Sequence, residues 1–559
     1  MAAVDYAVMV LFFVLLFGVS AWASRRRASK EQFFMAGHAL TWPFIGFALI
    51  AINVGARYVI GFAGVGFRYG VLFGQYEVVS TLNLVVLVFI LLPLYRASGI
   101  YTMPQLLRQR FGDSTHLIYS IVAILAIFLT VPAGTCLLSK TLAQVARAGQ
   151  VGGPEAGAAT LAGNMWSYVA IIIPVCVLLQ MWGGLRSVAY TDMIMGIVIL
   201  VGGVVVTHAA VTHEAVGGWA GLAQKIRATK PELLYAFREG GPIPWQAVFS
   251  GVFMIGLWFW CIDQTRMQMV LASRTLNDGR RGALLCALLK YVTAVLVLAP
   301  GLCGRLIYPD LPEAKADTVF GKLLADLIGP GLLGLVVAGL AAAAISTLMS
   351  LLNAAATIFT NDVMKRVVSE ETFERRAILF SRIFVLVAGG LTFAGVAWYA
   401  QAGAVMTVLL KVYGLVAGPT LAVYLLGIFW RRANAQGAVP ALLIGMVFSF
   451  GAELTPQLGW INHHYRALIA FGLSSAILVV VSVFTAAPDP SRLERTTFAW
   501  YLSRRKELEA LAATPADHEG EPLRDPWYLD WRLWSACLVA LLLATWWLFG
   551  LGRVLTGFG

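Results

Sequence analysis

Residues 331–360 run from GLLGLVV to ATIFT without one charged side chain. Wound as a helix at about 1.5 Å per residue, such a stretch outspans the hydrocarbon core of a bilayer. Apolar blocks recur along the chain, near 4–23, 42–68, 72–95, 116–145, 166–182, 188–210, 245–270, 282–306, 331–360, 378–400, 404–428, 437–457, 464–485 and 532–551. In hydrocarbon every peptide N–H and C=O must be satisfied within the segment, so such blocks cross as helices. The 559 residues are 59% hydrophobic and 13% charged, leaving no room for a separate soluble domain. The sequence predicts an all-α integral membrane protein of about fourteen transmembrane helices, with the lipid bilayer as its solvent.

The net charge of +12 would fit a nucleic-acid binder only if the cations shared a soluble face. Instead they cluster in alternate connections: Arg25-Arg26-Arg27 with Lys30; Arg96, Arg108 and Arg110; Arg274, Arg280 and Arg281; Lys365, Arg366, Arg375 and Arg376; Arg431-Arg432; Arg504-Arg505-Lys506. The positive-inside rule puts these loops in the cytoplasm and both termini outside, in a bacterial-type inner (plasma) membrane, with no nucleic-acid partner. The first block is followed, not preceded, by basic residues, which makes it a membrane helix and not a signal peptide. Cys136, Cys176, Cys261, Cys286 and Cys537 fall within spans and Cys303 near an outer end, a spacing for core packing and not for metal or disulfides. In the connection 486–531, Arg492 to Leu511 reads either as a basic amphipathic helix on the inner leaflet or as a solvated linker helix.

Within 331–360, Ala343, Ser346, Thr347 and Ser350 stand at i, i+3, i+4 and i+7 and so share one helix face. Such a stripe either admits another helix closely or aims oxygens at an ion. Spans 2–6 and 7–11 form two groups of five that enter from opposite sides, the pattern of inverted-repeat transporters. The chain then divides into a peripheral helix 4–23, a first repeat 42–210, a second repeat 245–428, and peripheral helices 437–551 that include the connection 486–531. In span 2, Asn53-Val54-Gly55-Ala56 predicts a break whose freed carbonyls can ligate a cation; close packing at the glycines is the alternative.

Ordered motifs run from about residue 30 to 435: FFMAGHAL (33–40), ALIAINVGARYVIGFAGVGFRYG (48–70), GQYEVVS (74–80), GIYTMPQLLRQRFG (99–112), GGLRSVAYTD (183–192), WCIDQ (260–264), AAAAISTLMSLLNAAATIFTND (341–362) and GIFWRR (427–432). Their order resembles the sodium:solute symporters, which include the sodium/glucose transporters. The resemblance implies the 5+5 inverted-repeat fold of the bacterial leucine transporter. It implies Na+ between the carbonyls of Ala51, Val54 and Ala343 and the hydroxyls of Ser346 and Thr347. A second sodium site of some members falls on Asp192 and Ser350, but Met349 stands where a further hydroxyl is expected, and a thioether ligates sodium poorly.

The resemblance also places Glu77, Ser80 and Lys290 at positions that bind sugar in a bacterial member, which favours a polyhydroxylated solute. Tyr58, Gly256, Phe259 and Leu410 replace that member's polar or gating residues, so its own sugar is not implied. Phe259 either stacks on a solute ring or is an ordinary core or lipid-facing aromatic. Arg57 beside the break invites two readings: a forked pair with a substrate carboxylate, or an internal ion pair with Glu77. Asp263 and Arg266, three residues apart, read as a structural pair near the inner end, with a gate as the alternative, while Lys140 and Lys411 line the cavity or snorkel.

No nucleotide loop, metal cluster or nucleophile elbow is present in the sequence, so no enzyme activity is expected. The expected function is sodium-coupled symport of a small polar solute, most simply a sugar or sugar derivative, by alternating access. Symport of an organic or sugar acid through Arg57, or solute sensing on the same fold, are the alternatives.

Overall fold

The second apolar block does not form one helix. In the computed structural model it starts as Trp42–Asn53, stops at Val54 and Gly55, and resumes as Ala56–Tyr69. The structure describes residues 2–23, 35–148, 164–401, 405–455, 457, 461–512 and 526–551, apart from a few side chains within helices, including those of Arg57 and residues 405–410. Regular structure among these residues is helical, and a single isolated bridge joins Leu40 to Ser273.

The helices, in chain order, begin with α1 (Ala3–Ala23), α2 (Trp42–Asn53), α3 (Ala56–Tyr69), α4 (Gln75–Val86) and α5 (Leu92–Ser98). Next come α6 (Met103–Phe111), α7 (Asp113–Ala148), α8 (Met165–Val211), α9 (Gly218–Thr229), α10 (Phe253–Cys261) and α11 (Gln264–Leu271). They continue as α12 (Leu276–Ile307), α13 (Val319–Leu327), α14 (Leu332–Ile358), α15 (Glu370–Ala400) and α16 (Val405–Phe429). The last are α17 (Ala435–Leu454), α18 (His463–Phe484), α19 (Phe498–Ser503), α20 (Arg505–Ala512) and α21 (Trp531–Trp546).

Among the described residues, ten helical stretches are long and apolar enough to cross a membrane, or eleven if the bent pair Trp245–Cys261 and Gln264–Leu271 is one span. The difference from the expected fourteen lies where helices are short or broken: Ala3–Val19, Trp42–Asn53 and Met165–Met181 are apolar but fall below eighteen residues. Residues 166–182 and 188–210 are joined by helical backbone at 183–187, within α8. Between α3 and α4, Gly70 (φ 66°, ψ −136°) turns the chain, and a Cβ there would stand 1.9 Å from the Leu233 carbonyl oxygen. Only glycine fits both demands.

The block that opened the sequence reading becomes the centre of the bundle. Every residue of α14 from Val336 to Ile358 is buried, as expected of a helix apolar all round. It packs on α8, α1 and α7, while α12 packs along α2 and α3. By contrast α15 exposes Ile383, Leu386, Val387, Leu391 and Trp398, a face suited to lipid. Cys537 is exposed on α21 and not packed inside, whereas the other five cysteines are buried. The span-14 helix has one face outward, so its composition hides which side a residue takes.

Peripheral α1 is tied to the centre by a buried carboxylate that the sequence reading passed over. Asp5 Oδ1 accepts from the backbone N–H groups of Gly331 (2.7 Å) and Gly334 (2.8 Å), at the N-terminus of α14. These are donors that a helix start leaves unsatisfied, and the helix dipole favours the charge. Asp5→Ala should lower thermal stability by about 1–2 kcal/mol, the usual worth of a cap, in a detergent melt of the whole protein. An unchanged melt would mean that α1 docks by apolar contact alone.

Candidate functional site

The break in span 2 faces the hydroxyl stripe of α14. Because α2 ends at Asn53, the carbonyls of Ala51 to Val54 lose the donors that a continuous helix would supply. Ala51 O lies 3.4 Å from Thr347 Oγ1, which donates to Ala343 O at 2.9 Å. Gly55 is needed for this approach: a Cβ there would sit 2.3 Å from Thr347 Oγ1 and 3.6 Å from Ala343 O. Thus Ala51, Ala343 and Thr347 meet around the break, Val54 is its first non-helical residue, and all four are buried.

Ser346 looks the other way. Its hydroxyl donates to Asp192 Oδ1 on α8, and Ser350 Oγ donates to Asp192 Oδ2 at 2.9 Å. Two hydroxyls one turn apart therefore hold both oxygens of one fully buried carboxylate. Met349 is also buried, on the same helix. The four-residue stripe thus serves two neighbouring centres, with Ser346 beside Thr347 at their junction.

Of the solute positions, Tyr58, Glu77 and Lys290 come together. Lys290 Nζ forms an ion pair with Glu77 Oε2, and each side chain is 2% exposed. The ammonium also lies 5.2 Å from the Tyr58 ring centre and 5.1 Å from that of Trp260, within cation–π range. Ser80, one turn along α4, donates its hydroxyl to Glu77 O. Lys290, brought over by α12, is the cation paired with Glu77 among the described residues; the Arg57 side chain, and with it both readings of Arg57, lies outside them. The side chain of Leu410 also lies outside them.

Two further buried amides carry polar atoms, one of them on a residue, Asn83, that sequence reasoning missed. Both amide atoms of Asn83 on α4, and Asn53 Nδ2 at the end of α2, are buried without a hydrogen-bond partner among the described residues. The Asn83 amide occupies the space above Gly256, where a Cβ would stand 2.2 Å from its nitrogen. A polar residue on span 7 is replaced by glycine, and an amide arrives from α4 instead. Only packing could reveal that exchange, since Asn83 carries no motif of its own.

Span 7 is interrupted as well. Helix α10 ends at Cys261 and α11 leaves at 48° to the pair's first arm, with Asp263 capping it through Thr265 N (3.1 Å). Asp263 and Arg266 pair at 2.5 Å, as expected from their spacing. The Arg266 guanidinium lies 3.4 Å from the Phe259 ring centre, so Phe259 is neither lipid-facing nor free to stack on that face. Lys140 Nζ donates to Ala400 O at 3.1 Å, and Lys411 pairs with Glu453 at 2.7 Å.

At the far end of α14, a π-turn over Phe359–Met364 buries Asp362. Its carboxylate accepts from Thr102 Oγ1 (2.8 Å) and Gln105 Nε2 (3.4 Å) and lies 3.0 Å from His116 Nε2. The first two come from the GIYTMPQ motif, so that motif and the TND motif are one buried contact, fastening α6 and α7 to the helix that carries Ser346 and Thr347.

A model of the family described as "Sodium:solute symporter family" matches residues 33–445. Sodium/glucose cotransporter 4 of Danio rerio is 29% identical, over 94% of this chain and 83% of its own length. Sodium/glucose cotransporter 1 of Oryctolagus cuniculus is 28% identical over 90% and 82%, respectively. Sodium/myo-inositol cotransporter 2 of the same organism is 28% identical over 92% and 81%. Among solved structures, a Na+-coupled sialic acid symporter in a substrate-bound, outward-open state aligns with a TM-score of 0.76, covering 87% of this chain and 99% of that chain. At 18% identity this likeness speaks for the fold alone. With two interrupted spans, a buried hydroxyl-bearing helix facing the first of them, and a family match across most of the chain, this multi-pass membrane protein belongs to the sodium:solute symporter family.

Proposed function

We propose that the protein couples uptake of a small polyhydroxylated solute, a sugar or sugar derivative, to Na+ by alternating access. Fourteen spans are arranged as two inverted repeats, 42–210 and 245–428, flanked by 4–23 and 437–551, with both termini outside an inner (plasma) membrane. One sodium ion is held by the carbonyls of Ala51, Val54 and Ala343 and the hydroxyls of Ser346 and Thr347. The observation that carries this reading is the break at Val54–Gly55 facing Thr347 Oγ1, since hard neutral oxygens at a broken helix suit an ion that must leave each cycle. Asp192 and Ser350 offer a second sodium the only carboxylate near this centre among the described residues, reached through Ser346.

The solute binds among Tyr58, Glu77, Ser80, Lys290 and Phe259, where the unpartnered amides of Asn83 and Asn53 await hydroxyl groups. Relatives named for glucose and myo-inositol support a polyol. A second reading, a sugar or organic acid bound by Arg57, accords with the Glu77–Lys290 pair, in which Glu77 already has a cationic partner. In proteoliposomes with an inward sodium gradient, a labelled sugar should accumulate, and one charge moved down 100 mV supplies about 2.3 kcal/mol, roughly a fifty-fold gradient. Competition by a sugar acid that disappears in Arg57→Gln would select the second reading. Sodium binding without accumulation of any sugar, sugar acid or amino acid would point to a sensor.

A further inference from the structure

A cavity of ≈ 590 Å³ opens at the arginine-rich end of the bundle, away from the groups described above. One wall is the end of α5 with the turn that follows, bearing Arg96 and Tyr101; the other is the segment after 486, bearing Arg495, Trp500 and Arg504. That segment is neither a single amphipathic helix nor a loose linker. It divides into the short helices α19 and α20 and is pinned to the core, where Ser98 Oγ donates to Arg495 O and Tyr501 is 2% exposed. The size falls within the range of small-ligand sites.

Three arginines line this hollow, against one carboxylate residue, Glu507. Arg96 is fixed in place, its Nη1 donating to Leu271 O (3.0 Å) and Ser273 O (3.1 Å) at the end of α11. The side chains of Arg495 and Arg504 make no hydrogen bond or ion pair with a described residue, and Arg504 lies 5.7 Å from the Trp500 ring centre. Arg495 also holds φ at +58°, a conformation that costs energy in a non-glycine residue and that collects at binding sites. Like charges gathered in a concavity repel one another unless an anion joins them, and guanidinium forks match phosphate oxygens. Tyr101 and Trp500 add apolar and stacking surface beside the cations.

We infer that this cavity binds a phosphate-bearing anion that bridges Arg96 on the transport core to Arg495 and Arg504 on the C-terminal segment. Two sources share that chemistry: the headgroup of an anionic lipid, drawn to basic clusters at the membrane surface, and a soluble phosphate ester. Bound there, the anion would tie the C-terminal segment, through Arg96, to the end of α11. The site lies apart from the sodium and solute groups and does not depend on their assignment.

Binding to the full-length protein in a neutral detergent tests this without any transport assay. The probes are dioctanoyl phosphatidic acid, glycerol 3-phosphate and dioctanoyl phosphatidylcholine, read by thermal shift and native mass spectrometry. Stabilisation by phosphatidic acid alone assigns the site to a lipid headgroup; stabilisation by glycerol 3-phosphate assigns it to a soluble ester. Arg495→Gln with Arg504→Gln should weaken binding roughly tenfold or more, since two charge-assisted contacts are lost. Arg375→Gln with Arg376→Gln, on another basic connection, should leave it unchanged. No stabilisation by either anion, an equal response to phosphatidylcholine, or equal loss in the Arg375/Arg376 variant would overturn the proposal.

Discussion

Thr347→Val should raise the sodium concentration needed for half-maximal uptake by tenfold or more while leaving the protein folded. Valine keeps the shape and the β-branch but removes the one hydroxyl that meets both Ala51 O and Ala343 O. An oxygen on a charged partner is worth about 1.5–3 kcal/mol, or roughly ten- to a hundred-fold in affinity. Thr347→Ser should retain most of the coupling. Gly55→Ala should mimic the loss although every proposed ligand remains, because the added Cβ would stand 2.3 Å from Thr347 Oγ1 and push it off the break. Sodium dependence of labelled uptake measures all three. Normal sodium dependence in Thr347→Val would remove this position from the ion site.

Lys290→Met should be the most damaging change to both stability and transport. It strands the Glu77 carboxylate in a pocket where both partners are 2% exposed, and an uncompensated buried charge costs about 3–5 kcal/mol. The double variant Glu77→Gln with Lys290→Met removes both charges and should regain most of that stability. It should not regain solute uptake if the pair contacts the solute. Thermal melts separate the first effect from the second, and sodium binding should persist in the double variant. Full uptake by the double variant would make the pair a structural staple and move the solute elsewhere.

The break at Asn53-Val54-Gly55-Ala56 was legible because glycine and asparagine interrupt helix propensity inside an apolar block. The Asp263–Arg266 pair was legible because helix geometry makes neighbours of residues three apart. Glu77 and Lys290 are each legible as candidates, yet their pairing is not, because a distance of 213 positions carries no local signal. The same holds for Asp5, which reaches across 326 positions to Gly331, and for Asp362, which gathers Thr102 and His116. The helical backbone across 183–187 escaped notice because glycine and a charged residue read as a loop when packing is unknown.

By itself the sequence determined that the chain is a multi-span helical membrane protein, which helix carries the hydroxyls, and where span 2 must break. These follow from local rules: hydrocarbon demands satisfied backbones, and periodicity and propensity act over a few residues. Only the tertiary structure decided that Thr347 faces the break while Ser346 and Ser350 face Asp192, and that Lys290 pairs with Glu77. Partner choice among buried charges depends on which helices lie side by side, and that is settled by packing over the whole bundle.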